Sequence, residues 1–135
     1  MIAITKLLDG PEHVIIHVYV LGDGDELTDE VLIDPALLSP PTQRLGVEEV
    51  SYDWAGFDAT IQFKSGVIGQ TMIWVLAERS NGDRCFKHWG NLPDRSGVDG
   101  DGKLLFSTIG LESGEQGTML IKARKNVRQL TPDEL

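Results

Sequence analysis

The chain has 135 residues, and its 21 acidic residues against 12 basic ones give a formal net charge of −9. This length fits a single domain with a core large enough to fold without disulfides, and the one cysteine, Cys85, has no second cysteine to pair with. The acidic balance excludes nucleic acid as the main partner, because phosphate binding needs a basic surface. It also argues against binding to an anionic membrane.

Apolar residues repeat with a period of two along most of the chain, which predicts strands rather than helices. The first predicted strands are residues 2–7, 13–21 and 30–34. In residues 13–21 the side chains divide between two faces, with Val14, Ile16, Val18 and Val20 on one and His13, Ile15, His17 and Tyr19 on the other. A helical turn fits only "DPALLSPP", where Pro40 and Pro41 would end it.

The segment "GVEEVSYDWAGFDATIQFK" predicts a β-hairpin. Its first strand places Val50, Tyr52 and Trp54 on one face, and Ala55-Gly56 offers a short connection. Its second strand, residues 57–64, alternates cleanly, with Phe57, Ala59, Ile61 and Phe63 expected to face inward. Residues 71–77, 103–110 and 117–124 bring the predicted total to about eight strands.

Two segments lack this alternation. Residues 78–102 show no convincing strand and are predicted to form a long loop, of a kind that often carries function. Residues 125–135 are predicted to form a C-terminal arm or tail outside a domain that covers residues 1–124. About eight short strands separated by turn residues predict an all-β single domain, either a jelly roll or a β-sandwich.

Two Asp-Gly-Asp stretches are candidate metal sites. An EF-hand loop starting at Asp23 or at Asp99 fails, because leucine or lysine stands where the third oxygen ligand belongs. A calcium site shared between the two loops remains as an alternative, with Asp23, Asp25, Asp99 and Asp101 as its ligands. A phosphate loop is rejected, because a strand rather than a helix follows "GVDGDGK". The sequence therefore predicts turns here, with no metal and no cofactor.

Catalytic groups are not identifiable in the sequence. His13 and His17 would lie about 13 Å apart on one strand at a rise of roughly 3.3 Å per residue, too far to share an ion. A Cys85/His88 dyad lacks a third orienting group. The aromatic and basic residues of the long loop instead match the composition of protein interfaces. The predicted partner contacts are Arg84, Phe86, Lys87, His88, Trp89 and Arg95, together with Lys125 and Arg128 of the arm; His17 and Tyr19 are predicted to mediate self-association.

Several stretches in order, including "GFDA", "DRSG" followed by "DGDGK", and the closing "IKARK", cover roughly residues 13–125. Together they resemble a group of small virion structural proteins of tailed bacteriophages. The resemblance implies a β-rich protein of the virion, assembled in the bacterial cytoplasm, that acts as a capsid decoration (cement) protein or as a neck or tail component. It implies the major capsid protein or another virion protein as partner, and it brings no catalytic residue with it.

We therefore expect a non-enzymatic capsid decoration protein that forms homo-oligomers and binds neither nucleic acid nor membrane. A neck or tail component of the phage is the first alternative. The second is a calcium- or carbohydrate-binding sandwich, in which Trp54, Trp74 or Trp89 stacks on sugar.

Overall fold

The structure is a computed structural model that describes residues 1–63, 72–76, 79–85, 92–93 and 102–125; residues 72–75, 79–85 and 92–93 are described by their backbone pairing. Within these ranges the chain forms strands and one short 3-10 helix, Pro35–Leu37, which Asp34 caps by accepting a hydrogen bond from the Ala36 N–H at 3.1 Å. The strands are β1 (Ile2–Asp9), β2 (His13–Leu21), β3 (Glu30–Ile33), β4 (Leu45–Trp54), β5 (Asp58–Phe63), β6 (Met72–Leu76), β7 (Arg79–Cys85), β8 (Leu92–Pro93), β9 (Leu104–Ile109) and β10 (Gln116–Lys125).

These strands form two antiparallel sheets. The larger has the order β1-β2-β10-β4-β7, and β8 pairs with β4 beside β7. The smaller has the order β3-β9-β5-β6. In the described part of the chain, β1 and β7 are therefore the edge strands of the larger sheet.

The strand pairs are nested along the chain. β2 pairs with β10, β3 with β9, β4 with β7 and β5 with β6, as in a long two-stranded ribbon closed at the β5–β6 end. The pairings β10–β4 and β9–β5 join successive parts of this ribbon where it wraps around itself. Two sheets made by wrapping such a ribbon are a jelly roll, so the predicted all-β fold is confirmed.

The core lies between the sheets, and the predicted alternation is confirmed in β2 and β5. Every second residue of β2, from Val14 to Val20, is buried, while its other residues are half-buried. Aromatic rings connect the two layers: the Trp54 ring lies 5.1 Å from Phe57 in a stacked arrangement and 6.3 Å from Phe106, on the opposite sheet, edge to face. Such contacts add to the large apolar area that each ring buries.

The predicted hairpin between residues 46–56 and 57–64 is wrong. β4 belongs to the larger sheet and β5 to the smaller, so the chain crosses from one layer to the other between them. Gly56, at a φ of 95°, supplies a backbone conformation that L residues rarely adopt. A crossing and a hairpin both turn the apolar faces of their two strands toward one core, so alternation cannot distinguish them.

The prediction that residues 78–102 lack a strand is also wrong. β7 and β8 both lie in this segment, and both pair with β4. The sequence of β7, "RSNGDRC", has no apolar alternation. It forms a strand because the backbone of β4 offers hydrogen-bonding partners along its free side, which no local pattern in the sequence records.

Candidate interaction surface

The predicted partner contacts lie mostly outside the described residues. Phe86, Lys87, His88, Trp89, Arg95 and Arg128 are all there, as is His88 of the candidate dyad. Arg84 and Cys85 are at the end of β7, with their backbones paired to Val50 and Glu49 of β4. The segment predicted to contact a partner therefore begins on an edge strand of the larger sheet.

Lys125 does not belong to an exposed arm, contrary to the prediction. It is the last residue of β10, and its side chain has no exposed surface. The backbone N–H of Lys125 donates to the carbonyl of Glu12 at 2.7 Å. Its ammonium donates to the Asp9 carboxylate and, at 2.9 Å, to the carbonyl of Pro40. A buried ammonium needs such partners, so Lys125 is a structural residue and is not available to another protein.

We call the contacts around Asp9 the Asp9–Lys125 lock. Besides Lys125, the Asp9 carboxylate accepts a hydrogen bond from the Ser39 N–H at 2.9 Å and lies 3.3 Å from the Lys6 ammonium. The hydrogen bond from Lys125 is the main cause that lowers the pKa of Asp9 below its ordinary value of 3.8, and burial opposes it. The lock thus joins the ends of β1 and β10 to the segment after the 3-10 helix.

The two candidate calcium loops are not brought together within the described residues, because Asp99 and Asp101 lie outside them. In the first loop, Asp23 accepts a hydrogen bond from the Asp25 N–H at 3.2 Å, and this bond is the main cause that lowers the pKa of Asp23. The same side chain contacts the Met1 amino group at 3.3 Å. No cluster of three or more metal-ligating side chains occurs among the described residues.

The adjacent carboxylate of Glu26 closes a turn instead of facing an open site. It accepts hydrogen bonds from the N–H groups of Gly110, at 2.8 Å, and Leu111, at 2.6 Å. These bonds fix the loop that follows β2 to the end of β9. The acidic loop that resembled a ligand set therefore carries structural hydrogen bonds in its described half.

The two histidines of β2 have different surroundings. His13 Nε2 lies 2.9 Å from the carboxylate of the buried residue Glu48 on β4. His17 is on the outer face of the larger sheet, opposite Leu120 of β10. Tyr19 is on the same face and donates a hydrogen bond to the Gln116 side chain at 3.0 Å. Both residues predicted for self-association are thus half-buried on a broad sheet face.

Trp54 is buried at 2% exposure and packs in the core, so its predicted role in stacking on sugar is wrong. The prediction failed because an alternating strand places a tryptophan on the core face as readily as on the solvent face. The backbone of Trp74 pairs with Ile61 in the smaller sheet. Trp89 lies outside the described residues.

An apolar groove between β1 and β3, which the sequence reading did not anticipate, is the main open apolar feature of the described surface. Its volume is about 330 Å³, and we call it the β1–β3 groove. Ile4 of β1, Val31 of β3 and Leu37 of the 3-10 helix line it and are exposed at 37%, 42% and 76%. Its remaining lining residues are Lys6, Ile16, Leu32, Ile33, Asp34 and Leu38.

A signal for this exposed edge is present in "IAITKLLD". Ile2 and Ile4 keep the alternation of the larger sheet, but Leu7 and Leu8 are adjacent, so apolar side chains point to both faces. Every residue from Ala3 to Leu8 is exposed. A strand that is apolar on both faces is usually covered on both, so its exposure here indicates a surface for contact with another molecule.

Comparison with known proteins adds no family. No protein-family model and no curated protein matches the chain. Among solved structures, the chain is similar to peruvianin-I, a cysteine peptidase from the latex of Thevetia peruviana, at 12% identity with a TM-score of 0.40. That alignment covers 96% of this chain and 68% of the other. A TM-score this low supports no argument about function. No helix in the described ranges has the length and apolar character needed to cross a membrane.

Proposed function

We propose that the protein is a non-enzymatic structural component of a bacteriophage virion, and that it acts first of all as a capsid decoration protein. The observation that carries the proposal is the arrangement of the larger sheet. Its two edge strands in the described part of the chain, β1 and β7, lie at opposite ends of a rigid two-layer scaffold. A protein that clamps neighbouring capsid subunits needs separated contact surfaces on one rigid body.

The motifs that resemble phage virion proteins occupy positions that determine the fold. "GFDA" includes Gly56 and Phe57, where the chain crosses between the sheets. "IKARK" ends at Lys125, in the Asp9–Lys125 lock. A chain that shares these motifs therefore shares features that build the jelly roll, and this supports a common scaffold for the proposed role.

The chemistry of the partner follows from charge. A net charge of −9 favours a partner surface with an excess of lysine and arginine, which speeds the encounter and selects its orientation. Specific contacts would come from Phe86 and Trp89, flanked by Arg84, Lys87, His88, Arg95 and Arg128. The major capsid protein or another virion protein is the proposed partner. Many copies on a symmetric shell make weak individual contacts sufficient.

Particle binding tests this proposal. Empty capsids that lack the protein would be mixed with the purified chain, sedimented and analysed for bound copies per particle. We expect saturable binding that the double variant Phe86→Ala/Trp89→Ala weakens and the surface variant Ile109→Ala leaves unchanged; Ile109 is 60% exposed at the end of β9. Hundreds of copies per particle would support decoration, and about a dozen or fewer would support the neck or tail alternative. Absence of binding to every particle component would reject both roles.

A further inference from the structure

We propose that a second copy of this chain pairs with β1, edge to edge and antiparallel, about a two-fold axis at Ile4. The inference deepens the proposed function by naming the surface for the expected self-association, and it rests on that function only for its biological setting. It begins from two observations. β1 pairs with β2 alone in the described part of the chain, and the β1–β3 groove beside it is open and apolar.

The backbone hydrogen bonds determine which groups of β1 face the free edge. Met1 and Leu21 form a reciprocal pair, with N–H to carbonyl distances of 2.8 and 2.9 Å. The register then runs without a shift from Ile2 to Lys6. Since bonded and non-bonded pairs alternate in an antiparallel ladder, Ala3 and Thr5 bond to β2. The N–H and carbonyl groups of Ile2, Ile4 and Lys6 point away from β2, toward the free edge.

This edge is complementary to itself. A two-fold axis at Ile4 places that residue opposite Ile4 of the second copy, and places Ile2 opposite Lys6 in both directions. All three are residues whose backbone groups face outward, so each pair can form the two hydrogen bonds of an antiparallel bonded pair. The register shift between Lys6 and Leu8 ends the regular edge, which limits the pairing to this stretch.

Side chains favour the same arrangement. Ile2, Ile4 and Lys6 lie opposite Val20, Val18 and Ile16 of β2, so they share the inward face of the larger sheet. Pairing would bring two copies of Ile4 together above the β1–β3 groove and remove its apolar lining from water. Exposed edge strands normally carry charges that block such pairing. From Ile2 to Leu8, Lys6 is the only charged residue.

Charge complementarity supports a second copy as the occupant, although the chain is acidic overall. The two-fold axis brings the Lys6 ammonium of each copy to the end of β1 at which Met1 and Asp23 lie in the other. The side chains of Lys6 and Asp23 are 51% and 57% exposed, so both can move toward such a contact. The symmetry repeats this base-to-acid contact, as an isologous interface requires.

The outer face with His17 and Tyr19 is a weaker surface for the same purpose. These residues lie directly opposite Thr5 and Ala3 of β1, one strand away from the free edge. The hydroxyl of Tyr19 already has a partner in Gln116. The backbone groups on this face are paired within the sheet, whereas those of the β1 edge are directed outward.

Light scattering coupled to size-exclusion chromatography, run over a wide concentration range, tests the pairing. We expect a mass that rises toward twice the 14.8 kDa of one chain. Ile4→Lys places like charges opposite each other and should weaken association at least about tenfold, which corresponds to 1.4 kcal/mol. Leu120→Lys is the matched control: Leu120 is 41% exposed, close to the 37% of Ile4, but lies on the outer face opposite His17. It should associate like the wild type.

Amide hydrogen exchange provides a test that needs no variant. In the wild type, the amides of Ile2, Ile4 and Lys6 should become protected as concentration rises, while those of Ala3 and Thr5 are protected throughout. A chain that is monomeric at every concentration overturns the inference, as does loss of association in Leu120→Lys but not in Ile4→Lys. Protection that is independent of concentration and disappears when residues 126–135 are removed would assign the edge to that segment instead. A monomer that still binds capsids would reject only the pairing, and a dimer that does not bind would reject only the virion role.

Discussion

The Asp9–Lys125 lock predicts an asymmetry between two substitutions. Asp9→Asn leaves a fully buried ammonium at Lys125 with only the carbonyl of Pro40 to stabilise it. Lys125→Met leaves Asp9, which is 14% exposed and keeps the N–H of Ser39 and the ammonium of Lys6 as partners. We therefore expect Asp9→Asn to be the more destabilising change.

The magnitudes follow from burial. Removing one partner of a buried ion pair costs about 3–5 kcal/mol, and the partial exposure of Asp9 places its loss near 3 kcal/mol. Lys125→Met loses one charge-assisted hydrogen bond to a partly solvated carboxylate and gains apolar contact, for a net loss of about 1 kcal/mol. With a urea dependence of roughly 2 kcal/mol per molar, the midpoint should fall by about 1.5 M in the first variant and about 0.5 M in the second.

Urea unfolding followed by tryptophan fluorescence and circular dichroism measures these differences. The reasoning is refuted if Lys125→Met loses as much stability as Asp9→Asn. The dependence on pH gives a second reading. Because the folded-state pKa of Asp9 is lowered from 3.8, its contribution is fully present above that value and is lost as the pH falls through the lowered pKa. This acid-dependent loss should be smaller in Lys125→Met, since the largest cause of the shift is gone.

Three further predictions concern the fold and the acidic loop. Gly22→Ala should cost about 3 kcal/mol, because a Cβ there would overlap the carbonyl oxygen of Glu112; thermal unfolding should show no such loss in Gly10→Ala, whose Cβ would meet nothing closer than 3.7 Å. Phe106→Ala removes a ring with no exposed surface and should cost about 3–5 kcal/mol in urea unfolding, whereas a loss under about 1 kcal/mol would contradict its place in the core. Excess calcium and a chelator should give the same melting temperature, because Asp23 already bonds within its loop; a calcium-dependent rise would revive the metal-binding alternative.

The sequence was sufficient for the layer structure of the fold. Alternation in β2 and β5 identified which residues face the core, because a side chain that points between two sheets must be apolar whatever strand lies next to it. Alternation says nothing about which strand is the neighbour. The same pattern therefore produced the wrong hairpin, since β4 and β5 turn their apolar faces toward each other from different sheets.

The remaining errors have a common cause in long-range partners. Lys125 looked like the start of a solvated arm, but its partner Asp9 lies 116 residues away in the sequence. β7 looked like part of a loop, because a strand stabilised by the backbone of its neighbour needs no apolar alternation of its own. The edge position of β1 was equally hidden, since it depends on the order of all the strands in the larger sheet.

Strand order is also what makes the two proposals compatible. β1 and β7 are separated by β2, β10 and β4, which at a strand spacing of about 4.8 Å puts them roughly 19 Å apart across the sheet. A second copy on β1 would therefore leave untouched the edge at which the predicted partner segment begins with Arg84. Pairing of this kind would present two such segments, one at each end of a continuous sheet. A dimer with a two-fold axis and a capsid contact at each end is itself a clamp, so self-association at β1 would double the reach of the decoration protein without using the surface that binds the shell.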